Sequence, residues 1–444
     1  MSFQAPGELT VAPPLAGALP RAVPGGRLEV AVVDDGVGFD ALEREWNALL
    51  ERSDASVFQS FEWQRTWWRH FGEGRRDARL HLVTLRGPDG LAAIAPLYVE
   101  RVLGPLGLRR LLFVGHRDSD YLDVLAARGR EADCAEALAA HLSAHPEVFD
   151  VAVLEETPDR SRMGHGLCEA FARRGWATSR FVQERCPQTA LAKTWDETIA
   201  RFDIANRREV RRRLRNMQKE HAVELEIVPA GGAVEPSMRE FVDMHQERWA
   251  RDGYWGAFAD PAQAEFHCDV AERLSRRGWL LLAFLRVDGR RCAVNYGFSF
   301  RSTASVYLTG ARAVPPRLAR HSPGRSLHAL GMQWAIAHGR TLYDFMRGSE
   351  PYKYELGAID VPNWTIVAYP RRPRRTEAKH ALHLFLAGVE RRTRREAHAL
   401  RVASRGGGWL SREVMAHAAR AARRALADLQ RILGRRREVE PVRA

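Results

Sequence analysis

The sequence predicts an α/β (α+β) fold made of two similar units in tandem, each a mixed, mostly antiparallel sheet flanked by helices, with a helical C-terminal tail. Three observations predict it. The order strand, strand, strand, helix, strand occurs twice, about two hundred residues apart, as an internal duplication would produce. The stretches 80–102 and 280–301 share the pattern strand, Asp-Gly, strand, Arg, with Asp89 and Asp288 in register. The excess of positive charge is confined to the last stretch, 371–444.

Residues 1–26 hold Pro, Gly and Ala without a basic start or a clean apolar core, and read as a flexible leader rather than a signal peptide. Residues 28–33 read as a strand. Helices follow at 39–50 and 62–71, the first with Leu42, Trp46, Leu49 and Leu50 at helical spacing. The run 80–85, the turn Gly87-Pro88-Asp89-Gly90 and the run 91–102 make a hairpin, because Asp-Gly between apolar runs favours the positive φ that tight turns need. A strand at 111–115, a polar loop, a helix at 132–144 and a strand at 149–154 complete the first copy. Phe58, Phe61, Trp63, Trp67 and Trp68 lie at near-helical spacing and read as core.

Between the copies the spacing predicts helices at 207–219, 238–251 and 261–277. The first carries seven basic residues around the stripe Val210, Leu214 and Met217, which reads more commonly as a solvated, salt-bridged face than as a site for phosphates or an anionic glycan. The second copy has strands at 279–287, 292–300 and 305–310, a loop, a helix at 324–338 and a strand at 341–346. Helical patterns at 376–403 and 411–434, parted by Gly406-Gly407-Gly408, form the tail. The expected organisation is leader 1–26, first unit 27–190, second unit 191–370 and basic tail 371–444.

The chain has 444 residues, 45% hydrophobic and 28% charged, which excludes a mainly disordered chain or a collagen. There are 68 basic against 55 acidic residues, a net of +13. Residues 371–444 hold 20 of the basic and 7 of the acidic ones, which leaves the body at 48 of each. A neutral body argues against specific nucleic-acid binding. The cationic, amphipathic tail suits an anionic surface such as the inner membrane leaflet, and packing of its helices on the body is the rival reading. The cysteines Cys134, Cys168, Cys186, Cys268 and Cys292 are scattered and odd in number, which argues against a disulfide framework or a zinc site. No apolar run approaches the roughly 18–20 residues that cross a bilayer. The expected location is cytoplasmic, with peripheral contact at the inner membrane face.

Two segments concentrate chemistry. The first is 317–327, where Ser322-Pro323-Gly324 opens a helix between Arg320 and Arg325. Ser322 is placed to cap the helix and Pro323 suits its first position. Glycine at the mouth lets a phosphate reach backbone N–H groups, which the helix dipole and the arginines favour. An ordinary capped helix is the plain alternative. The second is 342–354, where Asp344 interrupts a strand beside Tyr343, Arg347, Glu350, Tyr352 and Lys353. Aspartate is disfavoured in strands, so Asp344 answers to a partner, as a general base or amine anchor, or in a salt bridge to Arg347 or Lys353. His245 lies on the apolar face of its helix, where a histidine is more often a core residue than a catalyst. The loop holding Asp120, Tyr121 and Asp123 is acidic where the second copy is basic. No metal is expected: His380 and His383 lie three apart on a helix without a third ligand.

These residues resemble a family. Phe58-Gln59-Ser60-Phe61-Glu62-Trp63 with Trp67-Trp68 and Phe71-Gly72, Ile94 to Val99, and Tyr121 to Leu125 are similar to the CelD-type (cellulose-biosynthesis) acetyltransferases. So are His245 with Arg248-Trp249, Ala293 to Gly297, Ser322-Pro323-Gly324 and Asp344 to Lys353. That family belongs to the GNAT superfamily and is related to the Fem-type aminoacyltransferases. The resemblance covers roughly 28–370. It implies tandem GNAT-like domains, with the donor in the second. It implies acyl transfer from acetyl-CoA or another acyl-CoA to an amine or hydroxyl of a small-molecule or glycan acceptor, in polysaccharide or cell-envelope biosynthesis. The pyrophosphate loop departs from the usual Gln/Arg-x-x-Gly-x-Gly/Ala turn, which only Arg320, Gly324 and Ser326 match. The implied donor contacts are Arg320, Ser322, Gly324, Arg325, Ser326 and Leu308, with a backbone N–H near Tyr307–Gly310 for the oxyanion. Asp344 or His245 would take the proton, and Tyr343 or Tyr352 would protonate the thiolate. Asp120, Tyr121, Arg248, Trp249, Tyr296, Glu350 and Lys353 would line the acceptor site. The competing readings are a Fem-like transferase using aminoacyl-tRNA and a non-catalytic scaffold of a polysaccharide-synthesis complex.

Overall fold

The computed structural model describes residues 27–102 and 107–371. The leader and both tail helices lie outside the described residues. Residues Trp249–Gly256 and Arg371 belong to a separate unit from the rest of the described chain. In it Trp249 packs edge-on against Tyr254, with ring centroids 5.7 Å apart.

The first half contains β1 (Glu29–Val33), α1 (Gly36–Ala41), α2 (Glu43–Glu51), α3 (Phe61–Phe71), β2 (Ala78–Leu80), β3 (Leu82–Gly87), β4 (Gly90–Ala95), β5 (Leu97–Val102), β6 (Leu108–Phe113), β7 (Leu125–Ala126), α4 (Glu131–Ala144), β8 (Val151–Pro158), α5 (Arg162–Arg173) and β9 (Trp176–Ala190). The second contains α6 (Trp195–Ala200), α7 (Ile204–Glu220), β10 (Val223–Ile227), α8 (Val234–Arg251), α9 (Pro261–Arg276), β11 (Leu280–Val287), β12 (Arg290–Phe300), β13 (Thr303–Ala311), α10 (Pro316–Ala319), α11 (Pro323–Ala337), β14 (Leu342–Asp344), α12 (Pro351–Glu355) and β15 (Ile359–Pro370). The predicted order therefore recurs as two strand, helix, hairpin, strand, helix, strand series. In each, the step across the helix that follows the hairpin strands, α4 or α11, is parallel, β6 to β8 and β13 to β14, while the hairpins are antiparallel.

The terminal strands join the halves. One sheet runs β10-β11-β12-β13-β14-β9-β15-β8-β6-β5-β2, and a second runs β1-β3-β4-β7. β9, from the first half, pairs with β14, and β15, from the second, pairs with β8. The two lie antiparallel along twelve register pairs, from Ile359–Gln188 to Pro370–Trp176. Each half thus lends its last strand to the other. The first hairpin departs from the expected continuous strands, because it breaks at His81 and Pro96 and passes from one sheet to the other. Proline has no N–H to donate, so the ladder ends there.

The second half's core forms where α11 and α7 cover β11–β13. Leu327, Leu330, Met332 and Ala335 of α11 and Val210, Leu214 and Met217 of α7 are buried with Leu281, Ala283 and Leu285 of β11. β12 is buried on both faces from Cys292 to Ser299, so its alternation does not mark a wet face. Arg211, Arg212 and Arg213 of α7 pair with Asp196 and Glu209, the salt-bridged face that the sequence suggested.

β12 and β13 slip register at one point: Tyr296 pairs with Leu308 but Gly297 with Val306, which leaves Tyr307 as an extra residue. The slip brings the strands so close that a Cβ on Gly297 would lie 1.9 Å from Ser305 O. Gly297→Ala is expected to cost about 3 kcal/mol of stability, at the top of the usual overpacking range. Urea unfolding measures it, and a loss below about 1 kcal/mol would show that the bulge relaxes freely.

Candidate active site

A cavity of about 510 Å³ opens where the two halves meet. The loop before β7, the start of α5, the β12–β13 turn and the end of β14 contribute to its wall. Four carboxylates line it, Asp54, Asp123, Glu131 and Asp344. Asp344, 3% exposed, is the last β14 residue in register with β13, opposite Ser305, and past this point the two parallel strands diverge. Its Oδ2 accepts from Tyr121 Oη at 2.8 Å and Gln188 Nε2 at 2.9 Å, and its Oδ1 accepts from Met346 N at 2.8 Å. Burial pushes the carboxyl up to about 6, against the lowering effect of those donors. Asp123 accepts from Val124 N at 2.8 Å, and burial raises it to about 7. Arg160 and Arg301 sit at the same wall. The anticipated salt bridge from Asp344 to Arg347 or Lys353 does not form. Lys353 donates to the carbonyls of Met346, Arg347 and Gly348 and pairs with Glu350 at 2.9 Å, while Arg347 pairs with Asp120 and Glu156.

The loop before α11 has the expected open mouth with a different cap. Ser322 is left-handed, at φ 47°, and its side chain makes no capping bond, because in that conformation the hydroxyl cannot reach the first-turn amides. A left-handed residue other than glycine costs roughly 1–2 kcal/mol and, before a helix, makes a concavity of N–H groups that suits an anion. A Cβ on Gly324 would meet nothing within 4 Å. Ser326 Oγ donates to His321 O at 2.9 Å, and Arg325 pairs with Glu355 at 2.7 Å. Arg320 pairs with Glu220. The Arg320 side chain is 60% exposed and that of Arg325 41%, so both pairs are screened by solvent and can turn toward a ligand. Leu308 is half-buried on β13 beside the bulge.

His245 is buried, with Nδ1 2.7 Å from Thr309 O and Nε2 accepting from Ala257 N at 3.0 Å. Burial lowers its pKa to about 4, so it stays neutral. It does not line the Asp344 cavity, contrary to the expectation that both face one cleft. Nδ1 ties α8 to β13 and Nε2 ties it to the segment at Ala257, so both ring nitrogens are engaged in packing. Tyr343 and Tyr352 come together around His328, Tyr343 by its hydroxyl at 3.3 Å and Tyr352 by stacking with centroids 5.1 Å apart. Burial raises both phenols. Tyr296 is buried, with its hydroxyl 3.3 Å from His267. Of the expected acceptor residues, only Tyr121 lines the cavity. Asp120 is buried against Arg347, Glu350 is exposed, and Arg248 is half-buried.

Residues 205–354 match a family model described as acetyltransferase (GNAT) domain. This stretch is a GNAT-type domain. The mixed α/β architecture, with helices flanking the sheets, agrees with such a domain. Among solved structures, FemX aligns with a TM-score of 0.53 at 12% identity, over 73% of this chain and 95% of that one. At that identity the likeness speaks to the fold. A tandem GNAT protein from the clavulanic acid biosynthesis pathway aligns with a TM-score of 0.38 at 11% identity, over 78% of this chain and all of that one. Among curated proteins none matches. The GNAT-type domain contains Asp344, His245, Tyr343, the open α11 mouth and the bulge at Tyr307. Its matched residues exclude Asp123 and Tyr121, which line the cavity from the first half, and Gln188, which donates to Asp344. Among the described residues no helix is long and apolar enough to cross a membrane.

Proposed function

We propose that the protein transfers an acyl group, acetyl in the simplest case, from acyl-CoA to an amine or hydroxyl of a small-molecule or glycan acceptor, in polysaccharide or cell-envelope biosynthesis. The observation that carries the reading is Asp344: a carboxyl raised to about 6 in a cavity wall, where β13 and β14 part within the GNAT-type domain. A base with that value is ionised at neutral pH yet keeps real proton affinity. The acceptor lies in the cavity, and its N–H or O–H proton passes to Asp344 Oδ1 as its heteroatom bonds to the thioester carbonyl carbon. The oxyanion is met by a backbone N–H at the Tyr307 bulge. The C–S bond then breaks, and the thiolate takes a proton from Tyr343 or Tyr352, phenols that burial keeps protonated. His245 positions β13 through Thr309. The α11 mouth, with Gly324, Arg320 and Arg325, holds the donor's pyrophosphate, and halves 27–190 and 191–370 take the acceptor and donor roles respectively. The CelD-type resemblance supports the pathway, and the basic stretch from Arg371 supports contact with an anionic membrane surface.

Calorimetry of the full chain with acetyl-CoA tests the reading. Saturable binding is expected, and Gly324→Leu should weaken it at least tenfold. The space around Gly324 is open, so that variant should keep the wild-type melting temperature. No heat at millimolar acetyl-CoA would overturn the reading in favour of a scaffold, and salt-sensitive tRNA binding in its place would favour a Fem-like donor.

A further inference from the structure

We propose that Glu220, His221 and His321 form a zinc site that clamps the C-terminus of α7 to the loop before α11. Glu220 is the last residue of α7, and His221 is its C-cap, extended at φ −140° and ψ 151° so that the chain turns away into β10. His321 comes from the short loop between α10 and α11, a hundred residues on. One donor atom from each of the three lies within 4.8 Å of the other two. The imidazole rings stand at 78° with centroids 6.0 Å apart. Ligands at Zn–N and Zn–O distances of roughly 2.0–2.2 Å lie about 3.3 Å from each other in a tetrahedron, so the cluster must contract by about 1.5 Å at most. Glu220, whose side chain is 37% exposed, can supply that movement.

Two further features point to a metal. The first is the orientation of His221. Its side chain is 8% exposed, and Nδ1 lies 2.7 Å from Asp288 Oδ2. Asp288 is itself fixed in the β11–β12 turn, at φ 51°, and its Oδ1 accepts from Ala222 N at 3.0 Å. A histidine whose Nδ1–H is held by a carboxylate presents the Nε2 lone pair, which is the usual arrangement behind a zinc ligand. That Nε2 makes no hydrogen bond among the described residues. The second is Arg320, which donates to Glu220 Oε2 and reaches His321 Nε2 at 3.3 Å. The guanidinium thus contacts Glu220 Oε2 and His321 Nε2, which lie 3.1 Å from each other, where a dication would sit. The side chain is 60% exposed and can leave. Glu220 and Asp288 together balance the charge of a divalent ion. Two imidazoles and one carboxylate suit zinc and leave a fourth position. His221 also lines a cleft of about 560 Å³ with Arg290 and Arg317. The site involves no proton or acyl transfer, so its test is separate from the proposed acyl transfer.

The full chain, stripped with chelator, should take up one equivalent of Zn²⁺ in competition with a chromogenic chelator, and Co²⁺ should give a tetrahedral visible spectrum. His221→Ala and His321→Ala should each weaken zinc at least 100-fold and lose the cobalt spectrum. Asp288→Asn, which keeps a residue that tolerates the left-handed turn, should weaken it about 10–100-fold. Arg320→Ala should tighten zinc several-fold, the opposite sign from general damage to the loop, so the proposal stays testable if a histidine variant misfolds. Less than a tenth of an equivalent bound, or a cobalt spectrum unchanged in the histidine variants, or weaker zinc binding in Arg320→Ala, would each overturn the proposal.

Discussion

Asp344→Asn is expected to lower turnover by about 10²–10⁴-fold while leaving acyl-CoA affinity within about twofold, as loss of a general base does. The same substitution should raise stability at neutral pH. Burial holds the Asp344 carboxyl at about 6, against an ordinary value of 3.8. A carboxyl raised on folding binds its proton more tightly in the folded state. Its contribution to stability is therefore most favourable below the unfolded pKa and is lost as pH rises from about 4 to about 6. Above that window the buried charge costs of order 1–3 kcal/mol. Asparagine carries no charge, so the variant should melt higher than wild type at pH 7.5, with the gap closing by pH 4. Residual activity of the variant should lack the rise through about pH 6 that is expected of the wild type. Turnover within threefold of wild type, with the stability gain present, would mean that Asp344 is a buried acid without a chemical role.

Both halves of that expectation depend on partners far away in sequence, and this decides what the sequence could reveal. The Asp-Gly turns were legible because they are local: Asp288 and Gly289 take φ 51° and 80°, and Gly90 takes 95°. The α7 and α11 stripes were legible because helical spacing records which face is buried. β9 and β15 were not. β9 is half-exposed and carries Arg180, Glu184, Arg185 and Pro187, so no alternation marks it, and β15 has Pro362 and Asn363 in mid-strand. The join between the halves was therefore hidden, and with it the cavity. Asp344 was singled out because aspartate is out of place in a strand. Its partners Tyr121 and Gln188 come from the other half, and the neighbouring charges Arg347 and Lys353 turned out to be engaged elsewhere. Asp123 was passed over as one acid in a polar loop. His245 was rightly placed on an inward face, yet periodicity cannot say what such a face meets. The zinc candidates share that difficulty, since His321 is a hundred residues from Glu220 and His221.

The largest stability effect is expected from Arg347→Ala. Arg347 reaches out of the second half to two carboxylates of the first, Asp120 and Glu156, whose side chains are 1% and 2% exposed. Its Nη1 lies 3.0 Å from Glu156 Oε1, its main-chain N donates to Asp120 Oδ2 at 2.9 Å, and its Nη2 donates to Ser119 O at 3.1 Å. Gln183 donates to the same Glu156 oxygen at 2.9 Å, and Asn363 donates to the other at 3.2 Å. Such a pair adds little over an apolar packing, but removing one partner strands the other, at about 3–5 kcal/mol. The pH dependence identifies the cause. Burial raises Glu156 to about 8 even with the Arg347 charge pulling it down. Without the arginine its folded value must rise further. A raised carboxyl loses stability as pH climbs from its unfolded value through its folded one, so the variant goes on losing stability above pH 8, where the wild type has levelled off. Urea unfolding should therefore find a larger deficit at pH 8.5 than at pH 6. Adding Glu156→Gln should recover part of the deficit at pH 8.5 and little of it at pH 6, because only an ionised, unpaired carboxylate is relieved by the amide. An equal deficit at both pH values would place the damage in lost packing and hydrogen bonds to Ser119 and Arg117 instead of in the buried charges.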